Sequence, residues 1–212
     1  MHFIKRKLKN ILEYLHPAHV KAVLRGETPE RRKTIRHELR PQPSSHQLKQ
    51  DTVRAYARQH HCRVLIETGT FRGDMIRAML NDFDRLYSIE LSHALYLAAK
   101  ERFRAYPTVF LFQGNSEKML SHILSQINEP AIFWLDAHTS GGETARGNRD
   151  TPIEKELADI LNHPMKSHVI LIDDAREFGL SKHYPTIKKV QKLTATVYKH
   201  FEVKDDIIRI TK

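Results

Sequence analysis

The chain has 212 residues and is 40% apolar, which suits one α/β domain with an extension rather than two full domains. It carries 35 Lys and Arg against 25 Asp and Glu, and +8 of its +10 net charge falls in residues 1–50, where 12 basic residues face 4 acidic ones. No run of 18 apolar residues is present, which excludes a membrane-spanning helix, and the one cysteine, Cys62, excludes an intrachain disulfide and fits a reducing, cytoplasmic setting.

The N-terminus is basic but lacks a continuous apolar stretch of signal-peptide length, so a cleaved leader is not expected. Residues 2–15 place Phe3, Ile4, Leu8, Ile11, Leu12 and Leu15 at helical spacing between Lys5, Arg6, Lys7 and Lys9. That helix packs on its own domain, on a second copy in a homodimer, or against a membrane surface; Pro17 ends it. Residues 25–45 are polar, carry Pro29, Pro41 and Pro43, and read as a linker with one short helix. The basic extension, residues 1–50, could meet phosphate, anionic lipid or an acidic partner.

From residue 51 strands and helices alternate. Residues 53–59 read as the end of a helix. RVLIET (63–68) is an apolar strand, 73–80 a helix, RLYSIE (85–90) a strand, and 92–106 a helix capped by Ser92. TVFLFQ (108–113) is a strand and 116–127 a helix. AIFWLD (131–136) is a strand. Residues 151–161 form a helix with Thr151 as N-cap, Pro152 at N1 and Glu154 at N3. HVILID (168–173) is a strand, 185–193 a helix, and 196–203 with 206–211 a hairpin turning at Lys204-Asp205. Short apolar strands separated by helices imply a doubly wound, Rossmann-like, mostly parallel sheet of about seven strands with an antiparallel edge hairpin. Ligands bind such sheets at the carboxyl ends of the strands.

The first strand runs into Glu67-Thr68-Gly69-Thr70-Phe71-Arg72-Gly73. Gly69 lets the chain turn sharply and Gly73 opens the next helix close to the sheet. Glu90, at the second strand's end, can accept hydrogen bonds from both ribose hydroxyls. The glycine spacing is GxxxG rather than GxGxxG, and Glu67 would repel a pyrophosphate. A cationic nucleoside such as S-adenosylmethionine fits better. Asn115 and Ser116, after the third strand, lie where an adenine would sit.

Asp136, Asp173 and Asp174 stand at the ends of the fourth and fifth strands, where three carboxylates converge on the cofactor's reactive end. Clustered carboxylates repel unless a cation or protons offset them, and an oxygen-liganded Mg²⁺ suits them. The alternative is that the aspartates cap the turns after their strands. His138 could take the acceptor's proton, ligate the metal, or serve the loop alone. Residues 139–150 form a long glycine-rich loop of the kind that closes over a substrate. Arg146, Arg149 and Arg176 could bind an anionic or sugar-like acceptor, or be solvated charge.

The strings IETGTFRG (66–73), YSIE (87–90), FQGNSEKML (112–120), FWLDAH (133–138) and LIDDAR (171–176) together resemble the class I S-adenosylmethionine-dependent methyltransferases. Among these they are most similar to the metal-dependent O-methyltransferases of the catechol and macrocin (macrolide-sugar) types. The resemblance spans residues 60–178. It implies a methionine-side loop at Glu67, Thr68, Gly69, Thr70 and Gly73, ribose at Glu90, adenine at Asn115 and Ser116, and Mg²⁺ at Asp136, Asp173 and Asp174. Asp136 also serves the cofactor side, and with His138 it forms the expected catalytic pair. The catechol-type lysine after the fourth strand has no counterpart in Ala137-His138-Thr139. The expected activity is O-methyl transfer to a small hydroxylated acceptor, a sugar or phenol. The alternatives are an RNA methyltransferase gripping phosphate through the basic arm, and a cofactor-binding protein without turnover.

Overall fold

The computed structural model describes residues 28, 30, 31, 43–136, 152–179 and 184–212. The chain divides into two units, Met1–Pro43 and Ser44–Lys212. The expected helix at 2–15, Thr151, His138 and the loop at 139–150, with Arg146 and Arg149, lie outside the described residues.

The second unit opens with α1 (His46–Gln59), then β1 (Val64–Thr68), α2 (Asp74–Met79), β2 (Arg85–Glu90), α3 (His93–Arg102), β3 (Val109–Gln113) and α4 (Ser116–Leu124). There follow β4 (Ala131–Leu135), α5 (Ile153–Asn162), β5 (Val169–Ile172), a 3₁₀ turn at Ala175–Glu177, α6 (Ile187–Thr194), β6 (His200–Lys204) and β7 (Ile207–Thr211). The seven strands order as β3-β2-β1-β4-β5-β7-β6, parallel from β3 to β5 and antiparallel at β7 and β6. This is the doubly wound sheet with a closing hairpin that the alternation of elements implies.

Every residue of β1, β4 and β5 is buried, as continuous apolar strands covered on both faces must be. Successive residues serve opposite cores. Val64 and Ile66 pack with Leu120, Leu157 and Val190, which brings α4, α5 and α6 onto one face. Leu65, Ile132 and Trp134 pack with Val53, Ile76 and Met79, which sets α1 and α2 on the other. Four helices begin at side-chain caps that satisfy an open N–H: Ser45 on α1, Ser92 on α3, Asn115 on α4 and Thr186 on α6.

The differences from the sequence reading sit at element ends. Residues 53–59 are the end of a helix as expected, and Ser45 caps its start upstream of the apolar positions. Pro152 is the N-cap of α5 rather than its first helical residue. The hairpin turns at Asp205-Asp206, not Lys204-Asp205. Both have positive φ (53° and 58°), the conformation a two-residue hairpin needs and one that aspartate tolerates.

Candidate active site

The parallel ladder sets the site. Beyond the strands it continues through Gly69 N–H to Ile89 O (2.9 Å), Gly114 N–H to Glu90 O (2.9 Å), Asp136 N–H to Thr68 O (3.1 Å) and Asp173 N–H to Leu135 O (3.1 Å). These bonds fix the ends of β3, β2, β1, β4 and β5 side by side. The acids expected there are therefore neighbours by register, at the carboxyl edge where open α/β sheets bind ligands.

At the head of β1, Glu67 is buried and accepts a 2.6 Å hydrogen bond from Ser88 Oγ, which in turn meets Thr70 Oγ1 at 2.6 Å. Burial pushes the Glu67 pKa up to about 8, with Asp136 and Glu90 adding to it against the Ser88 bond. The fixed negative charge expected before the turn is therefore largely neutralised near pH 7 until a cation arrives to favour the ionised form. Gly69 and Gly73 have φ of 91° and 76°. A Cβ at Gly73 would stand 2.6 Å from Phe103 Cε2, so this position requires both the left-handed backbone and the missing side chain. Glu90 accepts the Phe71 N–H (2.8 Å) on one oxygen and the Ser92 N–H (2.8 Å) on the other. It pins the glycine loop to the end of β2 and still has lone pairs for a diol. Asn115 caps α4 by accepting the Glu117 N–H at 2.9 Å, and Ser116 is the buried first residue of that helix.

The carboxylates of Asp136, Asp173 and Asp174 each offer an oxygen within 4.8 Å of the others. Asp173 Oδ1 accepts the Asp174 N–H at 2.8 Å, while Asp174 holds a left-handed backbone (φ 56°), a conformation that aspartate tolerates. Burial raises the Asp173 pKa, and Asp136 and Asp174 raise it further, more than Lys49 lowers it. Three like charges in one place, all from hard oxygen donors, make a set that a divalent cation fits.

Arg176 does not face outward for an acceptor. Its guanidinium Nη1 bonds Asp174 Oδ1 (2.6 Å) and Asp206 Oδ2, and its backbone N–H bonds Asp206 Oδ1 (2.7 Å). It is a clamp that fixes Asp174 against the hairpin, and that ion pairing displaces the acceptor-binding role expected from sequence.

Three residues of the site went unread in the sequence. Lys49, in the first turn of α1, donates to Asp173 Oδ2. Ser88 bridges Glu67 and Thr70 from the middle of β2. Glu156 is fully buried on α5, facing the hydroxyls of Ser116 and Thr68. Neither its two oxygens nor Thr68 Oγ1 makes a hydrogen bond of ordinary geometry. Burial pushes the Glu156 pKa up to about 7, against the pull of those hydroxyls. Glu156 had a readable signal: it shares the buried stripe of Ile153, Leu157 and Ile160, where a charge has no place without a partner.

No family model matches the chain, and neither does the sequence of any curated protein. Solved structures do match in fold. An O-methyltransferase from Bacillus cereus in complex with S-adenosylhomocysteine aligns at a TM-score of 0.54 and 15% identity over 92% of this chain and 96% of that one. The methyltransferase PaMTH1 of Podospora anserina, also bound to S-adenosylhomocysteine, aligns at 0.54 and 17% over 92% and 86%. The O-methyltransferase TomG of Streptomyces achromogenes, involved in tomaymycin synthesis and solved with S-adenosylmethionine, aligns at 0.54 and 16% over 80% and 81%. With its strand order, its closing hairpin and its glycine turn after β1, the chain has the fold of the class I S-adenosylmethionine-dependent methyltransferases.

Proposed function

We propose that the chain is an S-adenosylmethionine-dependent O-methyltransferase that uses Mg²⁺ and methylates a small hydroxylated acceptor, a sugar or a phenol. The observation that carries this reading is the ladder that aligns Thr68, Asp136 and Asp173 along one sheet edge, with Glu67 and Glu90 beside them. S-adenosylmethionine supplies the electrophilic methyl group, and Mg²⁺ at Asp136, Asp173 and Asp174 supplies Lewis-acid polarisation of an acceptor hydroxyl.

The chain's own residues do the rest. Glu67, poised near neutral pH by burial, ionises against the donor's ammonium. Glu90, held by two backbone N–H groups, presents its remaining lone pairs to the ribose. Gly69, Thr70 and Gly73 bring backbone close to the methionine portion, and Asn115 and Ser116 border the adenine. Asp136 orients the acceptor oxygen, and His138, two residues further on, takes its proton. Positioning of this kind accounts for much of the acceleration of a methyl transfer.

Titration calorimetry with S-adenosylmethionine, followed by methyl-transfer assays on phenols and sugars with and without EDTA, tests the reading. Cofactor binding with turnover lost on chelation is expected. Turnover that survives chelation would remove the metal from it, and absence of cofactor binding would remove it altogether.

A further inference from the structure

The carboxylate trio already holds a cation. Lys49 Nζ donates to Asp173 Oδ2, and its charge is also felt by Asp136 and Asp174. The pair is shielded: the Lys49 side chain is 14% exposed and that of Asp173 is 1% exposed. With Asp173 Oδ1 accepting the Asp174 N–H, both oxygens of the central carboxylate are engaged. An inner-sphere ion held through Asp173 Oδ2 would have to displace the ammonium or share that oxygen with it, and one held through the remaining lone pairs would still stand beside a like charge.

The Lys49 backbone N–H bonds Ser45 O at 3.1 Å, which holds its helical turn but not its ammonium. Helix α1 is anchored by Thr52, Val53 and Ala57, one to two turns further along, and by the Ser45 cap. Lys49 lies between these anchors, and four methylenes join its ammonium to the helix. The side chain can therefore leave the trio while α1 stays in place, as a lysine's flexible point charge allows.

We propose that Lys49 is an internal competitor for the divalent cation: beside Arg176 on Asp174, its ammonium offsets part of the trio's charge when no ion is bound and is displaced when one binds, so that it lowers the metal affinity of the site. The inference rests on the metal reading above and adds a residue to it. It differs from a plain structural ion pair in one respect. A structural pair would be indifferent to the metal, or lost together with the fold.

The test uses the full chain and Mn²⁺ alone, measured by calorimetry. Lys49→Met is expected to bind Mn²⁺ at least about tenfold more tightly than the unaltered protein, because a neighbouring positive charge has been removed. Lys49→Arg, which keeps the charge, is expected to bind no more tightly. Equal or weaker binding by Lys49→Met overturns the inference. A second measurement needs no variant. The acylation rate of Lys49, followed by mass spectrometry at fixed pH, should rise on saturation with Mg²⁺ as the ammonium leaves its carboxylate. If Lys49 is equally protected with and without Mg²⁺, the inference falls while the metal reading stands. If no form of the protein binds Mn²⁺, both fall together.

Discussion

The two ends of one sheet are built on opposite rules. At the amino end, charges and polar groups meet complementary partners. Arg63 pairs with Asp84 and Arg85 with Glu129. His168 Nδ1 accepts the Ala131 N–H at 3.1 Å, His168 Nε2 meets His163 Nδ1 at 2.9 Å, and His163 Nε2 meets Leu124 O at 3.1 Å. The Ala131 donor fixes that relay in one direction, with each ring donating from Nε2. At the carboxyl end, acid faces acid: Asp136, Asp173 and Asp174 converge, and Glu67 and Glu156 are buried with raised pKa values. An arrangement so costly to folding persists where binding or chemistry uses it. One end holds the sheet together; the other gathers acids whose charge is offset by protons and by Lys49 and Arg176.

The largest expected effect breaks the carboxyl end directly. Asp136→Asn should lower methyl transfer by about a thousandfold, the scale on which removal of several kcal/mol of transition-state stabilisation appears. Its melting temperature should hold or rise, because one like charge has gone from the cluster. A steady-state assay beside a thermal melt decides it. Activity within tenfold of the unaltered protein would mean that the charged end is not the reacting end.

The two ends should also respond to pH with opposite signs. Glu156 has an ordinary pKa of 4.5 and a folded value of about 7, so the stability it contributes is present below pH 4.5 and is lost as pH rises through 7. Glu156→Gln should remove that slope and gain up to about 3 kcal/mol at pH 8. His168 has an ordinary value of 6.5 and a folded value of about 4, because burial opposes its charged form, as do His163 and Lys166. Its contribution is complete above pH 6.5 and is lost as pH falls toward 4, again by up to about 3 kcal/mol. His168→Asn, whose Oδ1 can still accept the Ala131 N–H, should be less stable at pH 7 and flatter below it. Urea denaturation of both variants at pH 5, 7 and 8 separates the ends. If both slopes had the same sign, the contrast between the ends would be wrong.

Most of the sheet was legible because its strands carry their own boundaries. AIFWLD and HVILID are apolar runs ended by an acid, and a parallel register then places Asp136 beside Thr68 and Asp173 beside Leu135. The acids could be read for the same reason, since each terminates a strand. What stayed hidden was set by distance in sequence. Lys49 reaches Asp173 across 124 residues, and Arg176 reaches Asp206 across 30. No periodicity in either segment encodes such a pairing. The neutralising effect of burial on Glu67 was hidden too, because a sequence shows a carboxylate but not its solvation.

The smallest expected effect probes the amino end, and its smallness is what makes it informative. Arg85 meets Glu129 at a half-exposed pair, with side chains 31% and 39% exposed. Water and salt reach it, so its Coulomb attraction is weak and the ordering of two long side chains offsets part of it. Glu129→Gln should therefore cost less than about 1 kcal/mol, and the difference should shrink further in 0.5 M salt. Activity should be unchanged, since β2 runs from Arg85 at this end to Glu90 at the other and keeps its register through backbone pairing with β1 and β3. Denaturation at two salt concentrations with a parallel turnover assay would show it. A large loss of activity from so mild a change would mean that the two ends of the sheet are coupled through β2.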